Sequence, residues 1–435
     1  MDPPIAPDNS RLRRLAAERG LALAEALARS IREGRLRATL LAAPALSLAS
    51  VRAAIQAAAQ AQAPLLFTAG PSQVGCEGGY AGWTPEVFVC LLRDLALEQG
   101  FDGPIVVGLD LGGAWLEGLQ SQPGHSPAEA AQAVQQTIRA CLAAGYDLLH
   151  VRPAAGEGLP LGVSVRVSDI VARTADLIAY AESVRRELGR GPISYEVSAE
   201  GVEGQPVDLI TFRAFLDGLK PALAERGLAG VWPIFVVASL GRDSGAAAFD
   251  LASARRLAEA AEPYGASVRL RDADGLADPA QCPPAGLLVA SLGPSLADAE
   301  HDALQSLWKM EDQLDLITGS DLPGALEAAV GESGRWLQWS RPQERDKPLA
   351  QLPAARRAAL VRLCSRFVWT DPLVVSERQR LMKNMKIAGI DGEAEVQNRI
   401  AAALAKRFQA FNLNGAAARM EQIVERWPVK PSPAS

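Results

Sequence analysis

The chain has 435 residues, 49% hydrophobic and 22% charged, with a formal net charge of −6 at pH 7. That composition fits an ordinary globular chain with room for one large domain and an appendage. Its acidic balance argues against nucleic acid or an anionic membrane as the principal partner. The five cysteines, Cys76, Cys90, Cys141, Cys282 and Cys364, are scattered without a CxxC pair. Neither a zinc ribbon nor a disulfide framework is indicated, and a cytoplasmic location is expected. The opening "MDPPIAPDNSRLRRL" lacks the apolar core of a signal peptide. The Ala-rich stretch 40–67 is broken by Arg52 and by glutamines and does not read as a membrane span.

Residues 1–36 read as a helical cover for the bottom of the domain that follows. Short apolar runs then alternate with long segments of helical period. Strands are predicted at 38–44, 64–70, 104–110, 147–153, 192–198, 232–239, 266–272 and 286–294. Helices are predicted between them at 47–61, 84–98, 128–144, 168–187, 208–225 and 251–261. Buried strands each followed by a helix predict an α/β fold, a closed parallel (β/α)8 TIM barrel over 37–339. A doubly wound open sheet is the alternative, but no GxGxxG opens any helix. Residues 340–435 read as a C-terminal helical extension, entered through the polar stretch 340–353 and ending in the disordered tail "PVKPSPAS".

In a barrel of this kind the site lies at the carboxyl ends of the strands. After the second strand comes "GPSQVGCEGGYAGWTP", in which Gln73 and Tyr80 offer hydrogen bonds and Thr84 is placed to cap a helix opened by Pro85. This loop reads equally as a cover for substrate or as a tight crossover. The third strand ends at Asp110, a carboxylate that is costly at the mouth of an apolar strand without a partner. The fourth carries His150 and Arg152 on one face. The fifth carries Glu196, the sixth ends in "GRDSG", and the seventh carries Arg269, Arg271 and Asp272. The eighth ends in Ser291 and "LGPS", where the Gly293 amide and its neighbours at a helix start could hold a phosphate.

Each residue also has a structural reading. His150 inside an apolar run is more often a satisfied core group than a catalyst. Arg152 can simply pair with Asp110 or Glu196, and Arg269 and Arg271 with Asp272 or Asp274. Taken together, Asp110, His150, Glu196 and Asp272 are the candidate catalytic groups. Gln73, Tyr80, Arg152, Arg269, Arg271, Ser291 and Gly293 are the candidate substrate contacts. A Schiff-base aldolase is disfavoured, because no lysine falls at a strand end. With His125, His150 and His301 the only histidines, and only His150 on a barrel strand, a histidine-rich metal site cannot be built. No metal or other cofactor is expected.

Several segments resemble one family. "QVGCEGGYAGWTP" resembles the "NQV…GGYTGMTP" segment of the non-catalytic subunits of class II tagatose-bisphosphate aldolase. "IVVGLDLGG" is similar to that family's "IILGGDHLGP", and "AGYDLLHVRP" to its "AGFSKIHLDA". "ISYEVSAEGVEG", "LLVASLGPSL" and "RQRLMKNMKIAGI" resemble "GTEVPVPGG", "ILKVGPAL" and the C-terminal "R…N…NLEGV". Order and spacing agree over roughly residues 36 to 410.

The resemblance implies a TIM barrel of carbohydrate metabolism, a class II aldolase subunit as partner, and relatives that are metal-dependent ketose or ketose-phosphate 4-epimerases. It also marks departures. Leu111 stands where the family has His, Arg152 where it has Asp and Ala290 where it has Lys, and the family's "HSN" after the sixth strand is missing. Two functions follow. One is a non-catalytic-subunit-like protein without the family metal site that binds a sugar or sugar phosphate, stabilises a partner aldolase, or does both. The other is an active epimerase or aldolase with a metal-free site, using Asp110 and Glu196 as acid and base and Arg152 to stabilise an enolate oxygen. A homo-oligomer is expected, with no nucleic acid or membrane partner.

Overall fold

The structure, a computed structural model, describes residues 6–110, 127–152, 166–198, 208–238, 251–271, 273–314 and 318–429. Eight strands form a closed barrel in chain order: β1 (Leu40–Pro44), β2 (Leu65–Ala69), β3 (Ile105–Asp110), β4 (Leu148–Val151), β5 (Ser194–Ser198), β6 (Phe235–Ala238), β7 (Ser267–Leu270) and β8 (Val289–Ser291). All neighbours are parallel, and β1 pairs with β8 to complete the ring. This is the predicted (β/α)8 barrel. Its strands read as continuous apolar runs because a parallel sheet wrapped in helices is buried on both faces. Ile105, Val106 and Val107 are fully buried, as are Leu40, Leu41 and Phe67.

The surrounding helices follow the sequence closely. Leu48–Ala61 starts in a capping box between Ser47 and Ser50. Pro85–Glu98 starts at Thr84, whose hydroxyl accepts from the Val87 amide, with Pro85 in the first turn as expected. Alanines 53, 54, 57 and 58 of the first of these helices are fully buried. Helices Pro294–Glu311 and Gly392–Ala410 pack against this helix. No described helix is long and apolar enough to cross a membrane.

Residues 6–33 lie under the floor of the barrel and form two helices, Arg11–Glu18 and Leu23–Glu33, where the sequence read as one. The guanidinium of Arg13 donates to Asp147 Oδ1 at 2.5 Å, to Asp8 Oδ2 at 2.7 Å and to the Ile105 carbonyl at 2.7 Å. The two carboxylates also accept from backbone: Asp8 from the Ser10 and Ile105 amides, Asp147 from the Val107 amide. Burial alone would lower the Arg13 pKa. The two carboxylates reverse that and hold it above its ordinary value. Helix Ala416–Glu425 closes the floor against both N-terminal helices. There Arg11 pairs with Glu425, and Arg19 donates to the Glu425 carbonyl.

Candidate functional site

At the opposite end of β3 the register sets Asp110 beside His150, and His150 beside Glu196, so three polar side chains stand in a row across adjacent strands. His150 Nδ1 lies 2.7 Å from Asp110 Oδ1, and Nε2 lies 2.8 Å from Ser198 Oγ. A carboxylate only accepts, so Nδ1 carries the proton shared with Asp110. In the neutral ring Nε2 then accepts from the Ser198 hydroxyl. Ser198 follows Glu196 by two residues on β5 and so shares its face.

Arg269 of β7 is the centre of the arrangement. It is 2% exposed, a guanidinium enclosed by the barrel. It donates to Glu196 Oε2 at 2.6 Å, to Ser291 Oγ at 2.7 Å and to Thr68 Oγ1 at 3.0 Å, and it stands 3.5 Å from Asp110 Oδ2. Arg271, two residues on, donates to Asp110 Oδ1 at 3.1 Å. Five donors in a fixed fork suit arginine, and not lysine, to this many acceptors. Burial would raise the Asp110 pKa. Arg271, then the His150 hydrogen bond and Arg269, outweigh it and hold the carboxyl well below the usual carboxylate range.

Glu196 is the exception in the network. It is fully buried, its Oε2 is held by Arg269, and its Oε1 has no hydrogen-bond partner among the described residues. A buried carboxylate oxygen without a donor carries a desolvation penalty, and such an atom is a rare feature that calls for an explanation.

The remaining candidates fall in different places. Arg152 is buried just past β4, Ser291 is the Arg269 partner on β8, and Asp272 lies outside the described residues. Gln73 is buried in the loop after β2, where its carbonyl accepts from the Ala81 amide and the Tyr80 amide donates to Ser72. Gly79 in that loop has φ +56°, and a Cβ there would come 2.5 Å from the Gln73 carbonyl, so only glycine fits the turn. Tyr80 packs edge-on against Phe367 at 5.0 Å and under Arg335, which joins the loop to the C-terminal helices. Gly293 precedes helix Pro294–Glu311, and its amide donates to Asp274 Oδ2 at 2.6 Å.

Sequence reasoning paired Arg269 and Arg271 with Asp272 or Asp274 in its structural reading. The structure joins them to Glu196 and Asp110. Thr68 and Ser198 were missed. The available signal was a single hydroxyl in the apolar run "LLFTA", and a serine two residues after a strand carboxylate.

Asp110, His150 and Glu196 are metal-ligand types. As placed, they do not fit a divalent cation. One would bind such oxygens at about 2–2.6 Å, beside two guanidinium groups that already neutralise the carboxylates. Among the described residues no three His, Cys, Asp or Glu side chains are grouped to hold a metal ion.

A sequence model of the family described as D-tagatose-1,6-bisphosphate aldolase subunit GatZ/KbaZ-like matches residues 32–205. The segments at 73–85, 105–113, 144–153 and 193–204 that carry the family resemblance lie inside that match; those at 287–296 and 378–390 lie beyond it. Among solved structures, a probable tagatose 6 phosphate kinase from Sinorhizobium meliloti 1021 is similar over 86% of this chain and 100% of its own, with TM-score 0.70 and 20% identity. A fructose-bisphosphate aldolase from Campylobacter jejuni matches 90% of this chain and 94% of its own, with TM-score 0.50 and 10% identity. At these identities the likeness is one of fold. Residues 32–205 are thus similar in sequence to tagatose-bisphosphate aldolase subunits.

Proposed function

We propose that this chain is a non-catalytic-subunit-like protein that has given up the metal site of its family. In this reading its barrel mouth binds a sugar or sugar phosphate and its body stabilises a class II aldolase partner. The observation that carries the reading is Arg269, whose guanidinium lies between Glu196 and Asp110 at 2.6 and 3.5 Å. A permanent cation there neutralises the carboxylates that a metal would need. The test is to mix the purified chain with a class II tagatose-bisphosphate aldolase and follow the aldolase half-life on heating, together with turnover by each protein alone. Prolonged aldolase life with no turnover by this chain is expected. An unchanged half-life overturns the partner role.

A second reading is favoured by one observation, the unpartnered Oε1 of Glu196 beside the Asp110–His150 pair. Here the chain is a metal-free ketose or ketose-phosphate 4-epimerase, or an aldolase. Asp110 and Glu196 serve as acid and base, and the buried Arg152 stabilises an enolate oxygen. Turnover of a ketose or its phosphate in the presence of chelator, lost in Glu196→Gln, selects this reading over the first.

A further inference from the structure

The amide donor at the start of helix Pro294–Glu311 is already engaged by the chain. A helix N-terminus attracts anions through its free amides and its dipole. Here the anion is internal. Asp274 Oδ2 accepts from the Gly293 amide at 2.6 Å, and Oδ1 accepts from the Ser295 hydroxyl. Asp274 sits in the short turn Ala273–Gly275, pinned by the buried Ala273, and its own carbonyl accepts from Arg407 at 3.4 Å. A carboxylate fixed this way has a high effective concentration at the amide, so a dissolved anion must displace it.

The neighbouring acceptor points to the complementary chemistry. Ser291, two residues before Gly293, binds Arg269, which in turn holds Glu196. The buried Oε1 of Glu196 lacks a donor among the described residues. A ligand hydroxyl supplies one without adding charge, whereas a phosphate offers mainly acceptors and repels a carboxylate. This part of the mouth therefore combines a helix start already occupied by a carboxylate with one buried carboxylate oxygen that calls for a donor.

We infer that Asp274 is a tethered anion that bars phosphate from the strand-eight seat, so that the mouth takes a neutral polyhydroxy ligand in preference to its phosphate ester. This rests on the proposed reading of the mouth as a sugar site and specifies the sugars it takes.

The experiment is calorimetric titration of the full chain with inorganic phosphate, D-tagatose and D-tagatose 6-phosphate. It compares wild type, Asp274→Ala, Asp274→Asn and Glu196→Gln. Phosphate and the phosphate ester should each bind at least tenfold more tightly to the Asp274 variants than to wild type, with tagatose affinity changed less than twofold. Glu196→Gln should weaken tagatose at least tenfold. Asp274→Asn removes the charge but keeps one oxygen that can accept from the Gly293 amide, and it carries the comparison if the alanine variant unfolds. Equal phosphate affinity in wild type and both Asp274 variants, or none in any, overturns the tether. So does wild-type protein that prefers the ester to the free sugar. No uptake of either tagatose form, with the phosphate gain retained, overturns the sugar reading and upholds the tether.

Discussion

The two ends of β3 carry the same chemistry to different ends. At the floor, Arg13 lies between Asp8 and Asp147 and touches the backbone of Ile105; at the mouth, Arg269 lies between Glu196 and Asp110. The floor network is closed. Each of its four carboxylate oxygens accepts a hydrogen bond, two of them from strand amides, and helices cover it from below. Among the described residues, the mouth network leaves one buried oxygen without a donor and one carboxylate, Asp110, 22% exposed. An arginine between carboxylates is thus no mark of function. What distinguishes the two networks is incomplete satisfaction in the one at the face where such barrels hold their ligands.

The largest test of that contrast is removal of the floor cation. Arg13→Ala leaves two buried carboxylates facing each other and should destabilise the protein by about 3–5 kcal/mol, read from urea unfolding. A loss under 1 kcal/mol would show that the floor network is not structural. Next, Asp147→Asn should cost more than Glu196→Gln, by roughly 1–2 kcal/mol, because an Asp147 oxygen accepts from both Arg13 and Val107 while Glu196 has an oxygen in no bond. Equal losses would remove the distinction between the two ends.

Acid sharpens the comparison. The Asp110 pKa is depressed in the folded state, so the folded state holds fewer protons than the unfolded one. Its contribution is fully present above the unfolded carboxyl value, about 3.9, and is lost as pH falls through the lower folded value. Asp110→Asn should abolish that part of the acid slope in melting curves taken from pH 7 to pH 2.5. Arg13, held above an already high value, stays charged throughout this range and adds no slope. The smallest expected effect is that of a chelator. Excess EDTA should leave the melting temperature unchanged, and a fall of several degrees would reveal a metal that the mouth residues do not account for.

The barrel was legible because periodicity carried it. Runs such as "PIVVGLD" and "WPIFVVAS" are too short and too apolar for surface helices, and the segments between them repeat with helical period. The site was legible only as a set of strand-end residues. That Asp110, His150 and Glu196 stand in one row depends on register, which no strand specifies alone. Arg269 looked like one of two arginines flanking a leucine. Its enclosure depends on which face of β7 turns inward, and neighbouring strands decide that. Asp274 was visible as a carboxylate but not as the cap of a helix nineteen residues further on.

The floor has a consequence for how this chain comes into being. Helix Arg11–Glu18 finds its cover in residues as far as 414 positions away, where Arg11 meets Glu425. Contacts of such sequence separation form late, since the loop entropy they close is large. During synthesis the N-terminal helices and all eight strands leave the ribosome before the segment that seals them. The nascent barrel must therefore wait with its underside open, and a chain stopped before residue 416 should go to chaperones or proteases rather than to its ligand.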